Sequence, residues 1–334
     1  MSLTRIGVAG VGRIGRMHAE IIARQTPGAS LVAVADVNAD AARDVARDLQ
    51  VDAATVDELI SSDDVDAVAI CTSTDTHVDL TAAAAAAGKA IFCEKPLSLS
   101  LDEVDRAIAA VEAAGVPFMV GFNRRFDPAH RSVADAVRDG IVGSVHLARI
   151  SSRDPAPPPI DYLRVSGGIF VDMMIHDFDM ARFVVRSPVV EVYAKGAVLI
   201  DPAIGEAGDV DTAMVLLTHE SGAMTMIDNS RQAVYGYDQR VEVFGEKGLA
   251  ASENPHAHSG MTLTATGQSS ALIPHFFLDR YRTSYLLEWE AFVAYLRSGG
   301  PSPVSGADGR APVAIGLAAG QSMRTGAPVR VEGC

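Results

Sequence analysis

The chain has 334 residues, 48% of them hydrophobic, and a formal net charge of −14. This length suits about two domains with sizeable cores. The negative charge and the absence of a Lys and Arg cluster argue against a nucleic-acid or anionic-membrane partner, because phosphate groups are held by clustered cations.

The N-terminal sequence MSLTRIGVAGVG passes directly into a strand-like run and lacks the basic and long apolar regions of a secretion signal. No uninterrupted apolar stretch reaches the about 18 residues that a membrane helix needs. The cysteines Cys71, Cys93 and Cys334 form no CxxC pair, and two of them lie in apolar runs. We therefore expect a cytoplasmic protein with reduced thiols and no membrane anchor.

Between Arg5 and Phe122, short β-branched runs alternate with longer helical patterns, as is typical of parallel βαβ units. The predicted strands are RIGVAG, SLVAVAD, VDAVAIC, AIFCE and FMVGF. The helix between the first two strands has apolar and histidine positions at i, i+3, i+4, i+7 and i+8, which predicts one face packed on a sheet: Ile14, Met17, His18, Ile21 and Ile22. Two capping boxes are predicted at helix starts: Thr55 with Glu58, and Ser100 with Glu103.

After Phe122 the pattern changes. Asp127 before Pro128 can start a helix, SVHLARISSR reads as a strand, and the proline-rich RDPAPPPID predicts a loop. A helical segment over Asp172 to Arg186 is followed by alternating runs separated by short glycine-containing turns, which indicate a mostly antiparallel sheet. Two further helical patterns precede a last short PVRV strand. We predict an α/β protein with one domain over residues 1–122 and a second over residues 123–334.

Gly10, Gly12 and Gly15 form a GxGxxG motif between the first predicted strand and the first helix. The first glycine permits a tight turn, the second lets the backbone approach a pyrophosphate, and the third lets helix and strand pack closely. Asp36 ends the second strand about 25 residues later, where a carboxylate accepts hydrogen bonds from ribose hydroxyls and repels a 2′-phosphate. Because no Arg or Lys stands beside Asp36, the motif predicts NAD over NADP. A plain glycine turn is the alternative, which the flanking strand, the helix and Asp36 together disfavour.

Polar residues follow two further strands of this predicted parallel sheet, at the edge where open α/β sheets bind ligands. CTSTDTH follows VDAVAIC, so Thr72 and Ser73 can touch the cofactor, while His77 is better suited to ordering the loop than to chemistry. Lys95 follows AIFCE, and its amine can lose a proton or donate a hydrogen bond to a substrate oxygen. A surface lysine is the alternative. Pro96 predicts a cis peptide after Lys95.

The segment GGIFVDMMIHDFDMARFV places Asp172 and His176 four residues apart, and so on one helical face. A carboxylate there can orient an imidazole, and alcohol oxidation needs a base for the hydroxyl proton, so His176 is the candidate base. The alternatives are a buried structural histidine and a metal site of Asp172, His176 and Asp179. No HExxH motif or cysteine set supports a metal, and none is predicted. Asp177 and Asp179 can cap, pair or face water.

With GVGRIG, EKP and DMMIHD, the sequence resembles, over essentially its whole length, the glucose-fructose oxidoreductase, inositol dehydrogenase and rhizopine-catabolism family. GFNRRFDPAH and SRDPAPPP are most similar to its inositol dehydrogenase members. The resemblance implies a Rossmann domain followed by an α/β domain with a large, mostly antiparallel open sheet, whose free face joins subunits into a homotetramer. It also implies NAD-dependent oxidation of the C2 hydroxyl of myo-inositol, with Lys95, Asp172 and His176 as the catalytic set and His176 receiving the proton.

Two groups of contacts are expected from the motif and the resemblance together. The cofactor contacts are Gly10, Gly12, Arg13, Ile14, Gly15, Asp36, Thr72, Ser73, His77, Glu94 and Lys95. The substrate contacts are Lys95, Asn123, Arg125, Asp154, Asp172, His176 and Tyr235. Asn123 stands where relatives often have an apolar residue, which could alter stereoisomer preference. The alternatives are a surface or ion-pairing role for Arg125 and a turn role for Asp154.

Two other functions are compatible with the sequence. The same residues could oxidise scyllo-inositol, glucose or another cyclic sugar. A catalytically inert NAD-binding regulator is the second alternative, since a fold alone does not establish activity. The complete set of Lys95, Asp172 and His176 disfavours the regulator.

Overall fold

The computed structural model describes residues 3–333, so Cys334 lies outside the described residues. The chain forms two compact units. The first contains the residues up to Asn123 together with Ser284–Val313, and the second contains Arg124–Thr283 and the residues from Ala314 onward. The predicted division at residue 122 lies close to the observed one. The prediction differs for Ser284–Val313, which was assigned to the second domain and belongs to the first unit.

The sheet of the first unit is fully parallel, with the strand order β3-β2-β1-β4-β5-β6. Its strands are β1 (Thr4–Ala9), β2 (Ala29–Ala35), β3 (Asp52–Ala54), β4 (Ala67–Ile70), β5 (Ala90–Glu94) and β6 (Phe118–Gly121). All of the predicted strands are present. The sequence missed β3, which is three residues long and mostly exposed. This is the Rossmann order, in which the crevice at the carboxyl ends of β1 and β4 receives a dinucleotide.

Five helices connect these strands: α1 (Arg13–Gln25), α2 (Ala39–Leu49), α3 (Val56–Ser61), α4 (His77–Ala86) and α5 (Leu101–Ala114). The Thr55 capping box is confirmed, since its hydroxyl accepts from the Glu58 N–H and the Glu58 carboxylate accepts from the Thr55 N–H. The second capping box is wrong. The Ser100 side chain makes no capping hydrogen bond, and the Glu103 carboxylate pairs with Arg106 instead.

Aromatic packing explains why Ser284–Val313 belongs to the first unit. The segment includes most of α10 (Phe277–Ser298) and the start of α11 (Gly306–Thr325). Trp289 is fully buried, with its ring centroid 4.6 Å from that of Phe92 on β5, and Phe292 packs on the same ring at 5.8 Å. Burying a large aromatic side chain contributes roughly 1.5–3 kcal/mol, so this segment is part of the core of the first sheet.

The second unit is built on a seven-stranded sheet with the order β12-β11-β7-β10-β9-β8-β15. Its strands are β7 (Val145–Arg153), β8 (Val189–Ala197), β9 (Thr212–His219), β10 (Met224–Ser230), β11 (Asp238–Gly245), β12 (Gly248–Ser252) and β15 (Val329–Arg330). β7 and β10 pair in parallel and every other pair is antiparallel, which confirms the mostly antiparallel prediction. A separate hairpin is formed by β13 (Met261–Thr264) and β14 (Gly267–Ser270).

The helices that lie wholly in the second unit are α6 (Pro128–Arg138), α7 (Ile160–Leu163), α8 (Ile175–Val185) and α9 (Pro202–Glu206). The predicted start of α6 is confirmed, with Asp127 as the N-cap and Pro128 at the first position. A π-helical turn, Ile169–Met173, precedes α8, and 3-10 turns occur at Thr74–Thr76 and Asn123–Phe126. No helix within residues 3–333 is both long enough and apolar enough to cross a membrane.

The two faces of the seven-stranded sheet differ. One face packs Ile150, Val215 and Ile227 against Phe178 and Met180 of α8 in a continuous apolar core. Because side chains alternate between the faces of a strand, the intervening residues point the other way. Those intervening residues include exposed apolar side chains: Leu147, Met214, Leu216, Met224 and Phe244. This face of the sheet is therefore open in the monomer.

Candidate active site

The glycine turn between β1 and α1 is closely packed at two positions and open at one. A Cβ on Gly10, whose φ is +89°, would lie 2.6 Å from the Cys71 carbonyl oxygen, and one on Gly15 would lie 1.9 Å from the Gly10 carbonyl oxygen. A Cβ on Gly12 would meet no heavy atom within 4 Å. Gly12 also caps α1 without a side-chain hydrogen bond. The open space therefore lies at a helix N-terminus, a position suited to a pyrophosphate.

Asp36 links the end of β2 to this turn. Its Oδ2 accepts a hydrogen bond from the Val11 N–H at 2.7 Å, and its Oδ1 accepts from the Asn38 N–H at 2.9 Å. The carboxylate is half-buried. Since a carboxylate has about four acceptor sites, lone pairs remain for ribose hydroxyls.

His77 joins the loop after β4 to the loop after β5. Its ring is buried, with Nδ1 2.8 Å from the Pro96 carbonyl oxygen and Nε2 3.1 Å from the Thr72 carbonyl oxygen. Burial lowers the pKa of His77, so the ring is neutral at pH 7 and donates its one N–H to one of these carbonyls. These two contacts fit the predicted loop-ordering role. Thr72 is partly exposed and Ser73 is exposed.

Lys95 lies one residue beyond β5 and is half-buried. The Lys95–Pro96 peptide is cis, as predicted. The backbone N–H of Lys95 donates to Oε2 of Glu94 at 3.1 Å, and Oε1 of Glu94 lies 2.7 Å from His18 Nε2. The Glu94 side chain is thus engaged within the protein on both oxygens, which the sequence did not predict.

Asp172 and His176 lie in a helical segment that is otherwise buried. Between Ile169 and Ala181 they are the two residues that remain partly exposed. The geometry differs in detail from the predicted continuous helix. Asp172 lies in the π-helical turn and His176 in the first turn of α8, with Met174 as the junction.

A network of side chains fixes the orientation of Asp172. The Tyr162 hydroxyl donates to Asp172 Oδ1 at 2.8 Å, and a terminal nitrogen of Arg231 lies 3.6 Å from Oδ2. The other terminal nitrogen of Arg231 is 3.4 Å from Asp209, whose Oδ1 accepts from the Ile169 N–H that begins the π-helical turn. No motif or spacing in the sequence pointed to Tyr162, Arg231 or Asp209.

Asp154 lies beside Arg231 because β7 and β10 are parallel. Arg153 pairs with Ser230 at the ends of these strands, and the Asp154 N–H donates to the Ser230 carbonyl at 2.9 Å. Burial raises the pKa of Asp154 to about 6, against the opposing effect of Arg231 and Arg124. The sequence rule that located Lys95, a polar residue after a parallel strand, could have found Arg231 had the parallel pair been recognised.

Two buried ion pairs account for the paired arginines after β6. Arg124 donates to Asp177 at 2.7 Å, and Arg125 binds Asp179 through Nε and a terminal nitrogen. Arg125 therefore has the ion-pair role that was the alternative to substrate contact, and it is not among the contacts proposed below. Burial raises the pKa of Asp177 to about 6 despite Arg124. Because Asp179 is occupied by Arg125, the alternative metal site loses one ligand, and no metal-binding cluster is found within residues 3–333.

The remaining candidates differ in their surroundings. Tyr235 is partly exposed, and its hydroxyl donates to Asp238 at 2.6 Å and accepts from Arg153 at 3.1 Å. Asn123 is buried, and its amide nitrogen has no hydrogen-bond partner among residues 3–333. The loop histidines His256 and His258 are exposed.

Comparison with known proteins identifies the family. A model described as an oxidoreductase family with an NAD-binding Rossmann fold matches residues 4–122, and the GFO/IDH/MocA C-terminal domain matches residues 130–251. The chain is 50% identical over 330 residues to the myo-inositol 2-dehydrogenase of Thermotoga maritima, covering 98% of each chain. The chain belongs to the Gfo/Idh/MocA oxidoreductase family.

Two further matches show how closely this Gfo/Idh/MocA oxidoreductase follows its relatives. It is 47% identical over 319 residues to an inositol 2-dehydrogenase of Rhizobium meliloti, covering 96% of each chain. The structure of a scyllo-inositol dehydrogenase from Lactobacillus casei, solved with bound NAD(H) and scyllo-inositol, matches with a TM-score of 0.92 at 27% identity and 99% coverage of both chains. The predicted family and the predicted α/β fold are both confirmed.

Proposed function

We propose that this Gfo/Idh/MocA oxidoreductase oxidises the C2 hydroxyl of myo-inositol to the 2-keto inositol with NAD as the hydride acceptor. The observation that carries the proposal is that Asp172 and His176 are both partly exposed on an otherwise buried helical segment, with Asp172 oriented by Tyr162 and Arg231. The 50% identity to a myo-inositol 2-dehydrogenase supports the choice of substrate.

The first unit has the features that NAD binding requires. The open space over Gly12 and the uncapped start of α1 would receive the pyrophosphate, with the backbone of Gly10, Arg13, Ile14 and Gly15 around it. Asp36 would accept from the adenosine ribose and repel a 2′-phosphate, which favours NAD over NADP. NAD, when bound, supplies the acceptor for the hydride that leaves C2. Thr72 and Ser73 follow β4 and are candidates for further contacts.

Gly12 and Gly15 should respond differently to alanine. Gly12→Ala should leave the melting temperature unchanged, because its Cβ enters open space, but should lower kcat/KM for NAD by about 10- to 100-fold, equivalent to about 1.4–2.8 kcal/mol of lost binding. Gly15→Ala should instead lower the melting temperature by several degrees or more, because its Cβ would overlap the Gly10 carbonyl oxygen. Thermal denaturation and initial rates distinguish the two effects. An unchanged KM for NAD in Gly12→Ala would contradict the pyrophosphate site.

His176 serves as the base for the hydroxyl proton. As the C2–H bond breaks with its electron pair, the O–H proton passes to the imidazole and a carbonyl forms at C2, which balances the two-electron oxidation. Asp172 stabilises the resulting imidazolium and fixes its orientation, as carboxylates do for catalytic histidines. Tyr162 and Arg231 hold Asp172 in place for this role.

Lys95 and Asp154 act on the substrate oxygens. The Lys95 ammonium donates to the C2 oxygen and stabilises the negative charge that develops there as the proton leaves. Asp154, mostly ionised at pH 7, accepts from a neighbouring ring hydroxyl. Asn123 and Tyr235 are further candidates, because a polyol needs many polar partners.

The open face of the second sheet supports assembly of this enzyme into a homotetramer. Exposed apolar side chains on it include Leu147, Met214, Leu216, Met224 and Phe244, and exposed apolar surface of this kind is typical of subunit interfaces. A cytoplasmic location is consistent with the buried free thiols of Cys71 and Cys93.

Initial rates of NADH formation test the proposed reaction. The purified protein should oxidise myo-inositol with NAD faster than scyllo-inositol, D-chiro-inositol, glucose or xylose, and NADP should be a poorer cofactor. Activity confined to scyllo-inositol or a sugar would keep the mechanism and change the substrate. NAD binding without turnover on any of these compounds would favour the regulator.

A further inference from the structure

Three side chains connect the core of the first unit to the backbone of Lys95. Trp289 of α10 donates its indole N–H to His18 Nδ1 at 2.8 Å. His18 Nε2 is 2.7 Å from Glu94 Oε1, and Glu94 Oε2 accepts from the Lys95 N–H at 3.1 Å. His18 and Trp289 are fully buried and Glu94 is nearly so. The chain of contacts therefore runs within the core.

The direction of each hydrogen bond follows from the donors. Indole nitrogen can only donate, so His18 Nδ1 must be the acceptor and carries no proton. The neutral imidazole then has its proton on Nε2 and donates it to Glu94. Glu94 receives one hydrogen bond on each oxygen, which suits a carboxylate. All three contacts are thus compatible with a single protonation state.

A second carboxyl group in the same core does not compete for these donors. Glu288 is fully buried, and neither of its oxygens has a hydrogen-bond partner among residues 3–333. Burial first, and the charge of Glu94 second, raise the pKa of Glu288 well above its ordinary value. Glu288 therefore holds its proton more tightly than an ordinary carboxyl group does.

Lys95 lies outside the hydrogen-bonded part of the sheet, so the contact of its N–H with the Glu94 carboxylate helps to fix its backbone. The pairing of β5 with β6 ends at Glu94 and Gly121, so the Lys95 N–H lies beyond the ladder. A Cβ on Gly121 would lie 3.2 Å from the Glu94 carboxyl carbon, so the side chain packs closely over that glycine. On the other side, the Pro96 carbonyl lies 2.8 Å from His77 Nδ1. Lys95 is thus held on both sides by buried side chains.

We propose that His18 and Glu94, secured by Trp289, are positioning residues that fix the backbone at Lys95 so that its ammonium is correctly placed for catalysis. This inference rests on the proposed function, in which Lys95 acts on the substrate. The sequence predicted His18 only as part of the packing face of α1. The inference adds a role for His18 in turnover. The role depends on the N–H that His18 directs at Glu94.

Replacement of Glu94 and His18 tests the inference. Glu94→Gln keeps the shape, but its NH₂ must face either the His18 N–H or the Lys95 N–H, so one contact is lost. His18→Leu removes the donor, whereas His18→Gln offers an amide N–H in its place. Tyr295→Phe is the matched control, because it removes a polar group from α10 that has no link to Lys95. For each variant, kcat, both KM values, the melting temperature and the isotope effect with C2-deuterated myo-inositol are measured.

We expect Glu94→Gln and His18→Leu to lower kcat by about 10- to 100-fold, as a misplacement of about 1 Å can do, with KM for NAD within about 3-fold of wild type. The isotope effect should rise, because the chemical step becomes slower. His18→Gln should recover most of the rate, and Tyr295→Phe should match wild type. Should His18→Leu fail to fold, the isosteric Glu94→Gln still decides the question.

Three results would overturn the inference. The first is wild-type kcat in both Glu94→Gln and His18→Leu. The second is a loss confined to KM for NAD, which would make Glu94 a cofactor contact. The third is an equal loss in His18→Leu and His18→Gln that follows the melting temperature, which would indicate a structural role. The Lys95→Ala variant separates this inference from the proposed function. If Lys95→Ala is active, the proposed function itself is contradicted. If Lys95→Ala is inactive while the Glu94 and His18 variants have normal activity, only the positioning role is contradicted.

Discussion

Replacing Lys95 by alanine is expected to lower kcat by about 100- to 1,000-fold, the typical cost of removing one donor from a developing oxyanion. NAD should still bind, because the glycine turn and Asp36 that would hold it lie elsewhere in the first unit. The variant should also fold, since its side chain is half-buried at the end of a strand and is not part of the apolar core. The measurements are steady-state kcat and the NAD dissociation constant from fluorescence titration.

A matched lysine controls for the loss of a positive charge. Lys247 is exposed in the turn between β11 and β12, and Lys247→Ala should retain wild-type kcat. Lys95→Arg is informative as well, because a guanidinium keeps the charge but differs in shape and donor geometry, so it should restore only a small part of the rate. Turnover of Lys95→Ala within about 3-fold of wild type would assign Lys95 to the protein surface and remove it from the proposed mechanism.

Most strands and helices of the first unit could be predicted, because each is marked by a pattern within a short run of consecutive residues. Short apolar runs predicted the parallel strands, and the GxGxxG motif with its spacing to the second strand pointed to Gly12 and Asp36. The rule that ligands bind at the carboxyl ends of such strands pointed to Lys95. The return of Ser284–Val313 was not predictable from local pattern. It depends on Trp289 packing against Phe92, a contact between residues far apart in sequence.

In the second unit too, contacts between residues far apart in the sequence could not be predicted from local patterns. The spacing of Asp172 and His176 is a local signal and was recognised. Tyr162, Arg231 and Asp209 act through contacts with partners 10 to 40 residues away, or farther still, and no periodicity marks them. Arg125 is a similar case, because its ion pair with Asp179, 54 residues later in the chain, is not visible in the local sequence.

The structure also separates residues that look alike in the sequence. The segment from Asp172 to Asp179 contains three aspartates, but two of them are buried in pairs with Arg124 and Arg125. Asp172 is the one that stays partly exposed and holds weaker contacts with its arginine. A buried carboxylate paired with an arginine is already committed to that partner, whereas a partly exposed one can also accept from a neighbouring imidazole. This difference in burial favours Asp172 for the proposed supporting role.

His176→Asn is expected to lower kcat by about 100- to 10,000-fold at pH 7, the range typical for loss of a general base. The asparagine keeps a polar side chain of similar reach but cannot accept the hydroxyl proton. In the wild type the rate should rise with pH as the imidazole loses its proton, and then level off. In the variant this limb should disappear, and the rate should increase steadily with hydroxide concentration, so the deficit narrows at alkaline pH.

The pH profile distinguishes a base from a structural histidine. A histidine that only held the fold would lower the rate by the same factor at every pH, together with the melting temperature. His256→Asn, in an exposed loop, is the matched control and should keep both the wild-type rate and its pH profile. Tyr162→Phe should give an intermediate loss with the pH-dependent limb retained, because it removes a hydrogen bond from Asp172 while leaving the imidazole in place. A wild-type pH profile in His176→Asn would transfer the proton-accepting role to another residue, and Lys95 would then be the first to examine.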